Sequence, residues 1–157
     1  MKNKRRIYQI MSVVFILDQL IKLLIVRGME YYQKITIIPR FFSIFYVRNT
    51  GAAFSILEDN TLFLIQISVL FLVFLHEYMK KEMNYTSLSI LSLGLLLGGI
   101  FGNLLDRIIY RAVVDYLSFT FGSYEFPVFN LADTAITVGI GIFLLDMLLE
   151  KRKEVKK

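Results

Sequence analysis

The sequence contains no cysteine and only one histidine, His76. Without cysteine the chain has no disulfide framework, no thiolate nucleophile and no cysteine-based metal site. A single histidine cannot assemble a His-based zinc site. His76 lies near the end of an apolar run, where an interfacial residue is expected, so a Ser-His triad is not expected either. The sequence also has no glycine loop of the Walker or dinucleotide-binding type. No metal and no cofactor are therefore expected.

Four long apolar runs dominate the chain, in which 56% of the 157 residues are hydrophobic. This share is too high for an ordinary soluble domain and favours a membrane protein. Each run is close to the roughly 20 residues that a helix needs to cross about 30 Å of hydrocarbon. The first run is interrupted by Asp18, Gln19 and Lys22, and no Ala-x-Ala cleavage site follows it, so it is a retained helix rather than a signal peptide. The predicted spans are residues 7–26, 61–79, 86–105 and 131–149.

The positive charge of the chain, a formal net charge of +5, is concentrated beside the apolar runs. Because lysines and arginines do not alternate with stacking aromatics, no nucleic-acid partner is expected. Positive residues near span ends tend to stay in the cytoplasm, which predicts two cytoplasmic termini and places residues 27–60 and 106–130 outside. The bias is incomplete, because the first outer segment also carries cations. The three inner clusters are Lys2, Lys4, Arg5 and Arg6; Lys80 and Lys81; and Lys151, Arg152, Lys153, Lys156 and Lys157.

The outer segments have the composition of strands. Residues 34–38 and 41–47 are β-branched and aromatic, and Pro39 and Arg40 between them predict a turn or a bulge. The stretch 119–129 is similarly aromatic. No repeat or low-complexity linker divides the chain. The sequence therefore predicts a single domain over residues 1–157, an all-α integral membrane protein with four spans and a small extracytoplasmic β-sheet.

Ionisable groups in or next to hydrocarbon are costly and indicate function. Asp18 and Lys22 are four residues apart and share a helix face, so they can form an internal ion pair. A structural pair and a role at a functional site both remain open for them. At the outer end of the third span, Asn103 lies within one turn of Asp106 and Arg107. The glycines at 94, 98 and 102 recur every four residues and predict a helix-packing stripe.

Two accounts are open for Asp133. It can be an acid in the first turn of the fourth span, with Asn130 as the N-cap. Alternatively it can meet Asp115, which lies in the same outer connection between the third and fourth spans. Two acids in a poorly solvated site share a proton, so that one draws a proton from water while the other polarises a carbonyl group. This arrangement can hydrolyse a peptide bond without serine, cysteine or metal.

Five polar segments follow one another along the chain: Asp18-Gln-Leu-Ile-Lys22, Asn49-Thr-Gly-Ala-Ala-Phe54, Gly102-Asn-Leu-Leu-Asp-Arg107, Val114-Asp115 and Phe129-Asn-Leu-Ala-Asp133. In this order they resemble the motif series of the bacterial type II signal peptidases, the lipoprotein signal peptidase family. The resemblance covers nearly the whole chain, which makes it more specific than a single motif. Phe126 stands where related sequences often have Trp, and Tyr116 where Phe is common, and both replacements are conservative.

The resemblance implies an aspartyl endopeptidase of the bacterial plasma membrane that removes signal peptides from diacylglyceryl-modified prolipoproteins. It implies cleavage on the N-terminal side of the lipidated cysteine, in the outer leaflet, with Asp115 and Asp133 as the catalytic pair and membrane lipid as surroundings. It also implies that the outer sheet forms a cradle, and the segment after Gly51 a flap, over the site. Supporting or substrate-contacting roles are implied for Asp18, Lys22, Asn49, Gly51, Asn103, Asp106, Arg107 and Asn130.

Two functions of other classes compete with this interpretation. A proton-coupled carrier would use the buried acids as relay groups. A noncatalytic assembly protein would use the glycine stripe to pack against partners. Neither accounts for two acids and two asparagines that converge at one outer edge.

Overall fold

Four long helices form the body of the protein. The computed structural model describes residues 2–51, 60–81 and 85–155. Its helices are α1 (Lys2–Gly28), α2 (Thr61–Lys81), α3 (Ser87–Tyr110) and α4 (Leu131–Val155), and each is long and apolar enough to cross a membrane. The four predicted spans are confirmed. α3 continues past the predicted end of its span at Leu105, so that Asp106 and Arg107 lie on the helix itself.

α3 is the central helix of the bundle. It packs against α1 and α4 and, less extensively, against α2. Its most apolar window is 72% buried, against 11%, 17% and 22% for α1, α2 and α4, whose remaining surface is left for lipid. The predicted glycine stripe serves this packing: a Cβ added at Gly94 or Gly98 would lie 2.6 or 2.7 Å from a side chain of α1. On the other face, a Cβ at Gly99 would lie 2.5 Å from the backbone oxygen of Ala132 in α4.

The segments that follow α1 and α3 build a four-stranded antiparallel sheet in the order β1-β2-β3-β4. Its strands are β1 (Lys34–Ile38), β2 (Phe42–Asn49), β3 (Val113–Phe121) and β4 (Tyr124–Glu125). Arg40, in the predicted turn between β1 and β2, has a left-handed backbone with φ 60°. The sheet and the two first strands are confirmed. The predicted flap falls on residues 52–59 and lies outside the described residues.

β3 joins the sheet to the bundle. It begins at Val113, two residues after α3 gives way to the left-handed cap residue Arg111. Its partner β2 places Val47 opposite Asp115 and Asn49 opposite Val113. On its other side, the backbone N–H groups of Tyr116 and Leu117 donate to the Phe129 carbonyl, which holds the segment that leads into α4. β3 therefore brings Asp115 to the start of α4.

Candidate active site

Asp115 is a buried carboxylate on β3, with 2% of its surface exposed. Both of its oxygens accept hydrogen bonds from asparagine amides: Oδ1 from Asn130 Nδ2 at 2.7 Å and Oδ2 from Asn49 Nδ2 at 3.0 Å. Neither donor carries a charge, so the carboxyl group is held in place without an ion pair of its own among the described residues.

Asp133 lies in the first turn of α4. Its Oδ1 accepts from Asn103 Nδ2 at 2.7 Å and its Oδ2 from the Asn130 backbone N–H at 3.2 Å. The Asp133 N–H donates in return to Asn130 Oδ1 at 2.9 Å, which completes a reciprocal capping arrangement. The helix-cap account and the paired-acid account of Asp133 are therefore compatible, because capping leaves the carboxyl group at the same surface as Asp115.

Asp115 and Asp133 line one cavity of about 450 Å3. Asn49 and Arg107 contribute the other strongly polar side chains, and most of the wall is apolar. The remaining lining residues are Val113, Phe126, Pro127, Val128, Phe129, Thr134, Ile136, Thr137 and Val138. A peptide bond placed in this cavity meets two carboxyl groups in surroundings that solvate charge poorly.

The pKa of Asp115 is raised to about 7, by burial first and by the negative charge of Asp133 second, while the hydrogen bonds from Asn49 and Asn130 act in the opposite direction. Carboxyl groups that interact this strongly titrate as a pair rather than singly. The raised pKa of Asp115 places one protonation step of this pair near neutral pH, where general acid–base catalysis is most effective.

Asn130 and Asn103 connect the two acids through neutral amides. Asn130 Nδ2 lies within hydrogen-bond distance of Asn103 Oδ1 (3.2 Å) and of the Val114 carbonyl (3.3 Å), as well as Asp115. An amide keeps the same hydrogen-bonding pattern at every pH, so these contacts fix the carboxyl groups without competing for the shared proton.

Lys22 forms the centre of a second polar cluster behind the cavity. Its Nζ lies 2.9 Å from Asp18 Oδ2, 3.0 Å from Asp106 Oδ2 and 2.9 Å from Asn103 Oδ1. All four residues are buried. Lys22, Asp18 and Asp106 do not line the cavity, so the predicted Asp18–Lys22 ion pair is present but lies away from the space that a substrate can enter. Through Asn103, the cluster reaches Asp133.

The two acids of this second cluster also bind backbone N–H groups of other elements. Asp18 Oδ1 accepts from Ala132 in the first turn of α4 at 3.0 Å, and Asp106 Oδ2 accepts from Val114 on β3 at 3.0 Å. Each contact is one residue away from a carboxylate of the cavity. A Cβ at Gly102 would lie 2.5 Å from Asp18 Oδ2, so glycine is required for this approach. The cluster therefore positions α4 and β3, the two elements that carry Asp133 and Asp115.

Arg107 is the cation of the cavity wall. Its Nη2 donates to the Gly51 carbonyl at 3.2 Å, and the Gly51 N–H donates to Asn49 Oδ1 at 2.9 Å. Among the described residues Arg107 makes no ion pair, and its buried Nε has no hydrogen-bond partner. Arg107 and Asn49, which line the cavity, are thus linked through Gly51 into a chain of hydrogen bonds that ends at Asp115.

Gln19 and the hydroxyl of Tyr116 make contacts at the site that the sequence patterns did not predict. Gln19 Nε2 lies 3.1 Å from Asp18 Oδ2, 3.1 Å from Asp106 Oδ1 and 3.2 Å from the Gly102 carbonyl. Tyr116 Oη accepts from the Leu131 N–H at 3.2 Å, and burial raises the pKa of its phenol, so it stays a neutral hydroxyl. Gln19 could have been predicted as a site residue, because it is a polar residue within a membrane span. No local sequence pattern predicts the contact of Tyr116 with Leu131.

Within residues 2–51, 60–81 and 85–155, no three His, Cys, Asp or Glu side chains are grouped so that they could hold a metal ion. What the cavity does offer is two buried carboxyl groups, a cation and apolar walls. These groups suit the activation of a water molecule against a carbonyl carbon.

Comparison with known proteins agrees with this chemistry. The family model described as signal peptidase (SPase) II matches residues 10–149. The chain is 40% identical to the lipoprotein signal peptidase of Symbiobacterium thermophilum over 141 residues, which cover 90% of this chain and 93% of that protein. It is 39% identical to the lipoprotein signal peptidase of Shouchella clausii over 147 residues, or 94% and 95% of the two chains.

Two solved structures have the same fold. One, a bacterial membrane enzyme determined by the in meso method at 2.3 Å, superposes with a TM-score of 0.87 at 31% identity, over 95% of this chain and 91% of that one. The other, a bacterial membrane enzyme determined by the same method at 1.9 Å, superposes with a TM-score of 0.80 at 32% identity, over 89% and 90%.

Proposed function

Because this chain belongs to the signal peptidase II family and is a membrane aspartic peptidase that removes signal peptides from prolipoproteins, we propose that Asp115 and Asp133 are its catalytic pair. The observation that carries this proposal is their convergence on one cavity, with both carboxyl groups held by asparagine amides. Family membership also decides against the carrier and the noncatalytic assembly protein.

The shared proton defines the roles of the pair. The ionised carboxylate takes a proton from water as the water oxygen bonds to the scissile carbonyl carbon. The protonated carboxyl group donates its proton to the carbonyl oxygen, so that the tetrahedral intermediate carries two hydroxyl groups. When the carbon–nitrogen bond breaks, the departing nitrogen receives a proton from the pair and a hydroxyl of the intermediate returns one to it. The products are a new carboxyl group and a new amine, and the pair is regenerated.

The supporting residues divide into two groups. Arg107, Asn49 and Gly51 lie at the polar edge of the cavity, where they can contact the backbone of the substrate. Asn103 and Asn130 orient the acids, and the buried cluster of Asp18, Lys22 and Asp106 positions α4 and β3. Groups of the second kind act on the rate by keeping the acids in their productive geometry.

The proposed substrate is a prolipoprotein whose cysteine carries diacylglycerol, cleaved on the N-terminal side of that cysteine. The apolar wall formed by Phe126, Val128 and Phe129 supports it, because acyl chains and an apolar signal helix gain from such a surface. The enzyme is proposed to act as one domain over residues 1–157, with the sheet as the cradle and the segment after Gly51 as the flap of the site. Membrane lipid surrounds it.

The proposed location is the bacterial plasma membrane, with both termini in the cytoplasm and the cavity in the outer leaflet. Charge supports this orientation: the lysines and arginines of residues 2–6, 80–81 and 151–153 belong to the ends of the helices opposite to the sheet. An outer-leaflet cavity lets the acyl chains and the signal helix of a substrate stay in lipid during cleavage.

A matched pair of precursor peptides tests the substrate. The peptides share one sequence, and only one carries diacylglycerol on its cysteine. The purified protein in detergent should cleave the lipidated peptide before the cysteine and leave the other largely intact, as identified by the masses of the products. Equal cleavage of both peptides would show that the enzyme does not recognise the diacylglycerol group. Cleavage of neither would contradict the proposed reaction.

A further inference from the structure

The start of α4 has a hydrogen-bond acceptor for each of its first N–H groups. The first turn of a helix exposes N–H groups without partners in the helix, and they must be satisfied from outside. Here Asn130 and Asp133 cap one another. The Ala132 N–H donates to Asp18 of α1 at 3.0 Å, and the Leu131 N–H donates to Tyr116 Oη of β3 at 3.2 Å. The orientation of this turn is thus set by two other elements.

Tyr116 binds the entry to α4 at two points. Its side chain is buried, with 3% exposed, and its hydroxyl accepts from Leu131. Its backbone N–H donates to the Phe129 carbonyl at 3.1 Å, immediately before the helix. Asp115 precedes Tyr116 on the strand, and Asp133 follows Leu131 by two residues. The hydroxyl contact therefore spans the same gap between β3 and α4 that separates the two acids.

We propose that Tyr116 is a positioning residue for the cleavage reaction, whose hydroxyl holds the first turn of α4 against β3 and so fixes Asp133 relative to Asp115. Tyr116 does not line the cavity, so it acts through the acids and not by contact with substrate. The inference rests on the proposed catalytic pair. Among the described residues, the Tyr116 side chain makes no hydrogen bond to the Lys22 cluster or to Asn103 and Asn130. Its contact with Leu131 is therefore independent of those residues.

The isosteric variant Tyr116→Phe tests the hydroxyl alone. Loss of this hydrogen bond leaves the Leu131 N–H without its acceptor and loosens the turn. We expect kcat for the lipidated peptide to fall about two- to tenfold, while KM stays unchanged because the cavity wall is intact. Tyr46→Phe is the matched control: Tyr46 is equally buried, lies on the adjacent strand β2, and its hydroxyl accepts from Arg48 of that strand at 2.9 Å. Its kcat and KM should equal those of the wild type.

A second variant removes the donor in place of the acceptor. Proline has no N–H and fits the first position of a helix, so Leu131→Pro deletes the group that the hydroxyl serves while it preserves the helix start. We expect Tyr116→Phe to leave kcat unchanged in the Leu131→Pro chain. An equal fall in kcat in both backgrounds would show that the hydroxyl acts elsewhere and would overturn the inference.

Other outcomes are also decisive. Wild-type kcat for Tyr116→Phe, an equal fall for Tyr46→Phe, or a rise in KM with unchanged kcat would each overturn the positioning role. If Leu131→Pro does not reach the membrane, the comparison of the two Tyr→Phe variants decides alone. Failure of the catalytic pair is recognised separately, by cleavage in Asp115→Asn or Asp133→Asn protein.

Discussion

At the scale of single residues, the site depends on what surrounds each charge. Asp115 receives two neutral amide donors and no cation among the described residues, whereas Asp18 and Asp106 share the ammonium group of Lys22. The same side-chain type is therefore placed in two different roles.

The pH dependence of cleavage follows from Asp115. Its pKa is raised to about 7, by burial first and by Asp133 second. The pair needs one proton, and this proton is lost as the pH rises through that value. We therefore expect kcat/KM for the lipidated peptide to fall as the pH rises above about 7, and a pH–rate profile measures this directly. A rate that stays constant to strongly alkaline pH would show that the shared proton is not required.

The same shift has a consequence for stability. An acid whose pKa is higher in the folded state binds its proton more tightly there than in the unfolded chain. Its ionisation therefore reduces stability as the pH rises from its ordinary value of 3.8 towards about 7. Asp115 thus opposes folding at neutral pH, which is consistent with a residue retained for chemistry and not for stability.

Lys22, in contrast to Asp115, is expected to stabilise the folded protein. Lys22→Met leaves Asp18 and Asp106 buried without their cation, and breaking a buried ion pair in this way costs about 3–5 kcal/mol. We expect a clear fall in the midpoint of thermal unfolding in detergent, together with lower cleavage. Lys34→Met is the control, because the exposed Lys34–Glu125 pair at 3.5 Å contributes only about 0–1 kcal/mol. Equal midpoints for the two variants would contradict the structural role of the Lys22 cluster.

At the scale of elements, α3 sets the distances to the other helices. Its glycines bring α1 and α4 close enough for Asp18 to reach Ala132, and for Asn103 to reach Asp133. Close packing between helices thus determines where the acids of the cavity lie, even though the glycines themselves carry no chemistry.

Gly99→Ala tests this packing. The added Cβ would lie 2.5 Å from the Ala132 carbonyl, a backbone atom that can move only if α4 moves with it. We expect a loss of about 1–3 kcal/mol in stability and a fall in kcat, measured on the same detergent-purified sample. Gly141→Ala is the matched control, since nothing lies within 4 Å of its Cβ, and it should be neutral or stabilising by up to about 1 kcal/mol. Unchanged kcat in Gly99→Ala would show that α4 tolerates displacement.

Local patterns predicted the elements better than their contacts. Apolar length was sufficient for the four helices, and β-branched and aromatic composition for β1 and β2. The apolar run predicted that the third helix ends near residue 105. α3 instead continues through the polar residues Asp106 and Arg107 and ends at the left-handed cap residue Arg111. The position of β3 and the contacts of Gln19 and Tyr116 join residues far apart in the chain. No sequence periodicity encodes these contacts, so they required the fold.

At the scale of the whole molecule, the chain is a multi-pass membrane protein with its chemistry at one end. The sheet, the cavity and the Lys22 cluster all lie at the ends of the helices where β3 meets α4. The lysines and arginines of residues 2–6, 80–81 and 151–153 belong to the opposite ends of the helices. Because the site and the positive charge lie at opposite ends of the bundle, the orientation of the protein decides on which side of the membrane cleavage occurs.

Single introduced cysteines test the orientation, because the chain has none of its own. Ser123→Cys, in the exposed turn between β3 and β4, should react with an impermeant thiol reagent applied outside intact cells. Lys81→Cys and Lys151→Cys should react only after the membrane is opened. The reverse pattern would put the cavity on the cytoplasmic side and contradict the proposed outer-leaflet site.

The most direct test of the catalytic pair is the cleavage rate of the lipidated precursor by Asp115→Asn and Asp133→Asn protein at matched membrane levels. Asparagine keeps the shape of the side chain and can accept one of the two hydrogen bonds through its amide oxygen, but it can neither take a proton from water nor share one. If the two acids act together, each variant should lose cleavage completely, and the double variant should be no worse than either single one. Substantial cleavage by Asp133→Asn would show instead that Asp133 only caps α4, because a lost helix-end charge costs about 0.3–1 kcal/mol, and it would contradict the pair.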